Sequence, residues 1–200
     1  MFSRIRPTTF LALGDSYTIG EGVKPFERWP AQLAQQNTFA PPHYLAETGW
    51  TTRDLLNAIT SASFSPQYDW VSVLIGVNDQ YDGLGEDVFQ TGLSKILDFA
   101  MTKVANPKHV IVLSIPDYSV TPFAQNRAPE RIAQEIMRFN RITRATAEAK
   151  CTAYCDITPL SLLAADDITL LTEDTLHPSG KMYQQWADKV RAEVIQPGQC

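Results

Sequence analysis

Five positions in this 200-residue chain have the residue types that acyl transfer needs: Ser16, Gly49, Asn78, Asp174 and His177. That chemistry requires a nucleophile, a base to take its proton, a group to orient the base, and donors for the oxyanion. A free serine keeps its proton at neutral pH and needs an imidazole beside it. Ser16 ends an apolar run on the turn Gly14-Asp15-Ser16, where Asp15 is expected to order the turn and take no part in the chemistry. Of the three histidines, His43 and His109 open apolar runs and are assigned to structure, whereas His177 follows the last run. Asp174 lies three residues before His177, within reach of one tight turn. Gly49 lets a backbone N–H approach a substrate without a Cβ in the way. Asn78 offers a side-chain N–H, and the Ser16 N–H would be a third donor.

Turn and cap chemistry accounts for each position separately, because Gly, Asn and Asp gather where strands end. An isolated Asp-x-x-His before a proline is an ordinary helix start. That reading does not explain why every role of one reaction is present, in positions that follow successive candidate strands.

The elements that must hold these positions alternate. Residues 8–13, 43–47, 69–75, 110–115 and 152–157 read as strands. Between them the helical period recurs: around Trp29 to Ala34, after a Thr51 or Thr52 cap with Leu55, Leu56 and Ile59, and from Phe89 to Val104. Two more helices are expected, one after Pro129 and one opened by Pro178 and carrying Met182, Trp186, Val190 and Val194. Strand–helix alternation predicts an α/β fold: a five-stranded parallel sheet in three α/β/α layers, in flavodoxin-like order. One domain over residues 1–200 suffices. Such sheets bind ligands beyond the carboxyl ends of their strands. Residues 80–85 and 117–128 are expected to wall the cleft there, with Tyr81, Tyr118 and Phe123 available to line it. Arg131, Arg138, Arg141 and Arg144 read as a solvated helix face.

A net charge of −5 argues against nucleic-acid binding, which uses a basic patch. No apolar run is long enough to span a bilayer, so no stable membrane insertion is expected. Arg4 and Arg6 are followed by Pro7 and not by an apolar leader, so the expected location is cytoplasmic, or secreted or periplasmic had a signal been removed. Cys151, Cys155 and Cys200 are odd in number and lack paired zinc spacing. Reduced thiols are expected, and a Cys151–Cys155 disulfide is not implied. Oligomeric state is not readable.

The blocks Gly14-Asp15-Ser16, Gly49, Gly76-x-Asn78-Asp79 and Asp174-x-x-His177 resemble, in order and over nearly the whole chain, the four blocks of the SGNH hydrolase superfamily, also called GDSL esterases/lipases. The resemblance implies a flavodoxin-like α/β/α fold and hydrolysis of small-molecule carboxylic esters or thioesters, with no cofactor and no metal. It implies Ser16 as nucleophile, His177 as general acid/base and Asp174 as its partner. Gly49, Asn78 and the Ser16 N–H would form the oxyanion hole. Tyr17 replaces the leucine of the GDSL name, at a position outside these roles. The absence of a Gly-x-Ser-x-Gly elbow disfavours the ordinary α/β-hydrolases.

Two rival readings differ in class. A metal-dependent phosphoesterase shares pieces of Gly14-Asp15 and Gly76-Val77-Asn78-Asp79, but no Asp-x-His precedes them and the histidine expected after the asparagine is missing. A non-catalytic flavodoxin-like binding module would need no such set, and no Gly-x-Gly-x-x-Gly follows the first strand. Asp79, Asp82, Glu86 and Asp87 do not match the EF-hand spacing and read as a solvated loop.

Overall fold

Strands covered on both faces must be apolar on both, and the central strands of this chain are. A computed structural model describes residues 6–196. In it β1 (Phe10–Gly14), β3 (Trp70–Leu74) and β4 (Val110–Leu113) are buried almost throughout. The edge strands β2 (His43–Ala46) and β5 (Ala153–Cys155) are partly exposed. All pairings are parallel, in the order β2-β1-β3-β4-β5. This is the expected flavodoxin-like order. From β1 the chain moves outward to β2, then crosses back to β3 on the other side. The crevice opens where the order reverses, between the carboxyl ends of β1 and β3. Ser16 and Asn78 follow those two strands.

The helices are α1 (Ser16–Ile19), α2 (Trp29–Gln36), α3 (Thr52–Ser61), α4 (Val77–Tyr81), α5 (Glu86–Thr102), α6 (Pro129–Ala149), α7 (Thr158–Ser161) and α8 (Gly180–Val190). α2 packs on α8, and α5 packs against both α3 and α6, giving two helical layers around the sheet. The first layer buries Trp29, Tyr183 and Trp186 completely. The second is joined by Phe89 of α5 stacked on Phe139 of α6, with ring centroids 4.6 Å apart.

The expected starts hold where capping chemistry sets them. Thr51 and Asp54 form a reciprocal capping box ahead of α3, and Pro129 is the first residue of α6. Other boundaries differ. α8 starts at Gly180, two residues beyond Pro178, with Ser179 in the N-cap position and its hydroxyl turned to Thr169 O. α5 ends at Thr102, and Pro107 opens a separate 3-10 turn, so Val104 packs from a loop. Val194 lies past α8 in a π turn. α1 and α4 fall where loops were expected, because helices of four or five residues are too short to show a period.

Cys151 and Cys155 are free thiols, the first exposed and the second buried. Burial, with Glu193 beside it, pushes the Cys155 thiol up to about 12. Arg4 and Cys200 lie outside the described residues. Among the described residues no helix is long and apolar enough to cross a membrane.

Candidate active site

The serine turn is built by the three residues of its motif. A Cβ on Gly14 would overlap the Leu74 carbonyl oxygen of β3 and the Thr18 hydroxyl, so glycine alone lets the chain turn this close to the neighbouring strand. Asp15 caps α1, its Oδ1 accepting from the Tyr17 N–H at 3.0 Å. Asp15 therefore orders the turn as expected. Its Oδ2 is buried with no partner among the described residues. Burial pushes this carboxyl up to about 8, against the Tyr17 N–H and with help from nearby Asp79. Ser16 is the first residue of α1, and the N–H groups of a first turn have no intrahelical acceptor.

The second and third blocks are clamped together. Gly49 has φ of +85°, a left-handed conformation that favours glycine. A Cβ there would meet nothing within 4 Å. The backbone conformation, not crowding by the protein, is what calls for glycine. The turn around it uses the Trp50 N–H, which donates to Glu47 O at 3.3 Å. Asn78 Nδ2 donates to Trp50 O at 2.8 Å, which fixes the amide and leaves its second N–H free. The next residue adds a second tie: Asp79 accepts from the Thr52 N–H at 2.8 Å and the Thr52 hydroxyl at 2.6 Å. Asp79 is fully buried, which corrects its expected place in a solvated loop. Burial raises its carboxyl, against the Thr52 bonds.

His177 arrives on a different kind of support. Residues 171–178 fold back on themselves through an isolated Leu171–Pro178 bridge and the Thr172 N–H donating to His177 O at 2.8 Å. Asp174 organises the turn. Its Oδ1 accepts from the Thr172 hydroxyl at 2.7 Å and from the N–H groups of Leu176 and His177, each at 2.9 Å. Its Oδ2 pairs with His177 Nδ1 at 2.6 Å. The turn role and the imidazole contact are thus carried by the two oxygens of one carboxylate. Burial would raise Asp174, but His177 and the other donors outweigh it and hold the carboxyl at about 2. With Nδ1–H given to this carboxylate, Nε2 is left as the acceptor.

Ser16, Gly49, Asn78 and His177 line one cleft of about 240 Å³, with Asp174 behind the imidazole. Tyr81, Tyr118 and Phe123 line it too, as the sequence suggests. The Tyr118 hydroxyl donates to Gln80 Oε1 at 2.9 Å, tying the loop after β4 to α4. Sequence reasoning missed Tyr17 and Leu176, which with Thr48 and Val77 complete the lining. Tyr17 is buried, with its ring centroid 5.6 Å from that of His177. Its place in the sequence gives it no catalytic role, yet its ring packs on the imidazole. Only its position directly after Ser16 could have signalled this.

The other two histidines sit at the opposite ends of the strands. His43 Nδ1 pairs with the Tyr68 hydroxyl at 2.6 Å. His109 Nδ1 pairs with Asp69 O at 2.9 Å, and its ring stacks on Trp70. Among the described residues no three of His, Cys, Asp and Glu converge as a metal set.

This fold, with its sequence match, defines a class: the carboxylic ester hydrolases with a serine turn after the first strand of a flavodoxin-like sheet. Within it, the chain belongs to the GDSL-like lipase/acylhydrolase family, whose profile matches residues 12–185. Solved structures with the same fold include a lipolytic protein of the G-D-S-L family from Veillonella parvula, with 18% identity over 95% of this chain and 100% of that one, at a TM-score of 0.72. TesA has 18% identity over 95% and 99% of the two chains, at 0.73. Axe2, an acetylxylan esterase from Geobacillus stearothermophilus, has 21% identity over 94% of each chain, at 0.68. At these identities the likeness concerns the fold. No curated protein sequence matches the chain.

Proposed function

We propose that the protein is a serine esterase that cleaves small to medium carboxylic esters through an acyl-enzyme formed on Ser16. The observation that carries this reading is the 2.6 Å bond between His177 Nδ1 and Asp174 Oδ2, in the cleft that also holds Ser16. It fixes the tautomer in which Nε2 can take the serine proton. Ser16 Oγ attacks the ester carbonyl while His177 removes its proton. Asp174 stays ionised and stabilises the imidazolium. The oxyanion is held by the N–H groups of Ser16 and Gly49 and by the free N–H of Asn78. The carbonyl re-forms, and the alcohol leaves with the proton from His177. Water, deprotonated by the same imidazole, then releases the acid.

The preference for short acyl groups draws on size. A cleft of about 240 Å³ falls below the range of roughly 300–1,000 Å³ typical of drug-sized ligands. The test is intact mass after exposure to a fluorophosphonate, on wild type and Ser16→Ala, followed by 4-nitrophenyl esters of increasing chain length. One adduct on wild type alone is expected, with a drop in kcat of about 10⁴-fold or more in the folded variant. An unlabelled, folded wild type rules the reading out.

A further inference from the structure

Among the described residues no lysine, arginine, aspartate or glutamate side chain lines the cleft. One cation stands at the outer rim. Arg127, exposed near the end of the loop between β4 and α6, lays its guanidinium over the Phe123 ring, 4.4 Å from the centroid. It is also 6.0 Å from the centroid of Tyr81, and its Nη1 donates to the Tyr81 hydroxyl at 3.1 Å. Both rings line the cleft. Among the described residues Arg127 has no carboxylate within ion-pair distance, whereas Arg131 and Arg138 of α6 pair with Glu135 and Glu86.

A guanidinium stacked on a ring has its plane set in advance. Its fork has five N–H donors, and its planar geometry matches a carboxylate or phosphate. Here one donor group is engaged by Tyr81. Tyr81 lies three residues past Asn78 on α4, one helical turn or roughly 5 Å along the axis. The cation therefore stands on two rings that share one cleft with Ser16, Gly49 and Asn78. With a chain charge of −5, the protein as a whole does not attract anions, so recognition of one has to be local.

We propose that Arg127 is a specificity-determining residue that receives an anionic group, carboxylate or phosphate, carried by the ester a few bonds from the scissile carbonyl. This rests on the reading of Ser16 as nucleophile. The alternative role is mechanical: Arg127 would merely strap its loop onto α4 through Tyr81.

Two matched ester pairs separate these. One places the anion on the leaving group (3-carboxy-4-nitrophenyl acetate against 4-nitrophenyl acetate). The other places it on the acyl chain (mono-4-nitrophenyl adipate against 4-nitrophenyl hexanoate). The readout is the ratio of kcat/KM for the anionic ester to that for the neutral one, so that losses of loop order cancel. In Arg127→Gln the ratio is expected to fall about tenfold in at least one pair, mainly through KM. Arg127→Lys should recover part of it, since charge returns without the fork. Raising the salt should lower the wild-type ratio and leave that of Arg127→Gln flat. Ratios unchanged by Arg127→Gln in both pairs overturn the proposal, as does an equal loss on anionic and neutral esters. In either case Ser16 labelling and neutral-ester turnover of the wild type persist. Absence of both in wild type removes the esterase reading and this proposal with it.

Discussion

The candidate site has two halves that are held in different ways. Ser16 and Asn78 ride on turns that continue two adjacent buried strands. Their placement depends on groups that do no chemistry: Gly14 against the Leu74 carbonyl, left-handed Gly76 before α4, and the Asp79 clamp on Thr52. His177 instead rides on a segment of 3-10 turns and bridges after β5, and the group that organises it is Asp174 itself. The side chain of Asp174 is 41% exposed, whereas Ser16 is 4% exposed. In the sheet-borne half, most of the structural ties lie on residues other than the candidate chemical groups, Asn78 with its bond to Trp50 O excepted. In the loop-borne half one carboxylate carries both.

Asp174 is therefore where the comparison is easiest to break. Asp174→Ala removes the partner of the imidazole and three acceptor contacts together. A loss in kcat/KM of about 10³–10⁴-fold is expected, accompanied by a lower melting temperature. Asp174→Asn keeps an oxygen for the turn but no charge for the imidazolium, so it should lose similar activity and melt between the wild type and Asp174→Ala. Equal melting of the two variants would show that the turn does not depend on this side chain. The ionised form of Asp174 persists until the pH nears 2, so the stability it contributes is present above about pH 4 and is lost as the pH falls toward 2. An acid limb of the activity profile at higher pH must then come from another group.

In the sheet-borne half, Asn78→Ala should cost about 10²–10³-fold in kcat, the usual price of one oxyanion donor. The fold should hold, since Asp79 and Thr52 still join α4 to α3. Rates with a 4-nitrophenyl ester and a thermal melt check both statements. Near-wild-type turnover would remove Asn78 from the oxyanion set. Low activity with a collapsed melt would place Asn78 among the structural residues and erase the contrast between the halves.

The sequence made the sheet legible because parallel strands buried on both faces leave continuous apolar runs, and Val110–Leu113 is wholly of that kind. It made the site legible because the reaction needs several residue types at once. Short elements escaped: α1 and α4 are set by a cap at Asp15 and a left-handed Gly76, which periodicity does not register. Asp79 and Tyr17 escaped for another reason. Acidic residues near a turn look solvated until a partner such as Thr52 is seen. An aromatic next to a candidate nucleophile looks incidental until its ring is found against His177. Both are contacts across long sequence separations, and a single sequence does not record them.

An effect on stability alone sharpens the comparison most, because it concerns what the sheet-borne half tolerates. Asp15 adjoins Ser16, is 1% exposed, and has one oxygen with no partner among the described residues. With its carboxyl pushed up to about 8 by burial, the folded state binds a proton that the unfolded chain releases near pH 4. The sign follows from linkage. Stability attributable to this proton is complete below about pH 4, declines as pH rises toward 8, and is gone above it. The limiting slope is about 1.4 kcal/mol per pH unit. Asp15→Asn keeps an oxygen for the Tyr17 N–H and carries no titratable proton, so its stability lacks this slope. Urea unfolding of both proteins from about pH 5 to 8 should show the wild type losing ground steadily to the variant, by more than about 1 kcal/mol across the range. The other titrating groups cancel in the difference. A constant difference would mean that Asp15 is already ionised in the fold and that the site beside Ser16 accommodates its charge. The serine would then sit next to a buried anion, and the donors facing it would have to stabilise a second negative charge as the oxyanion forms.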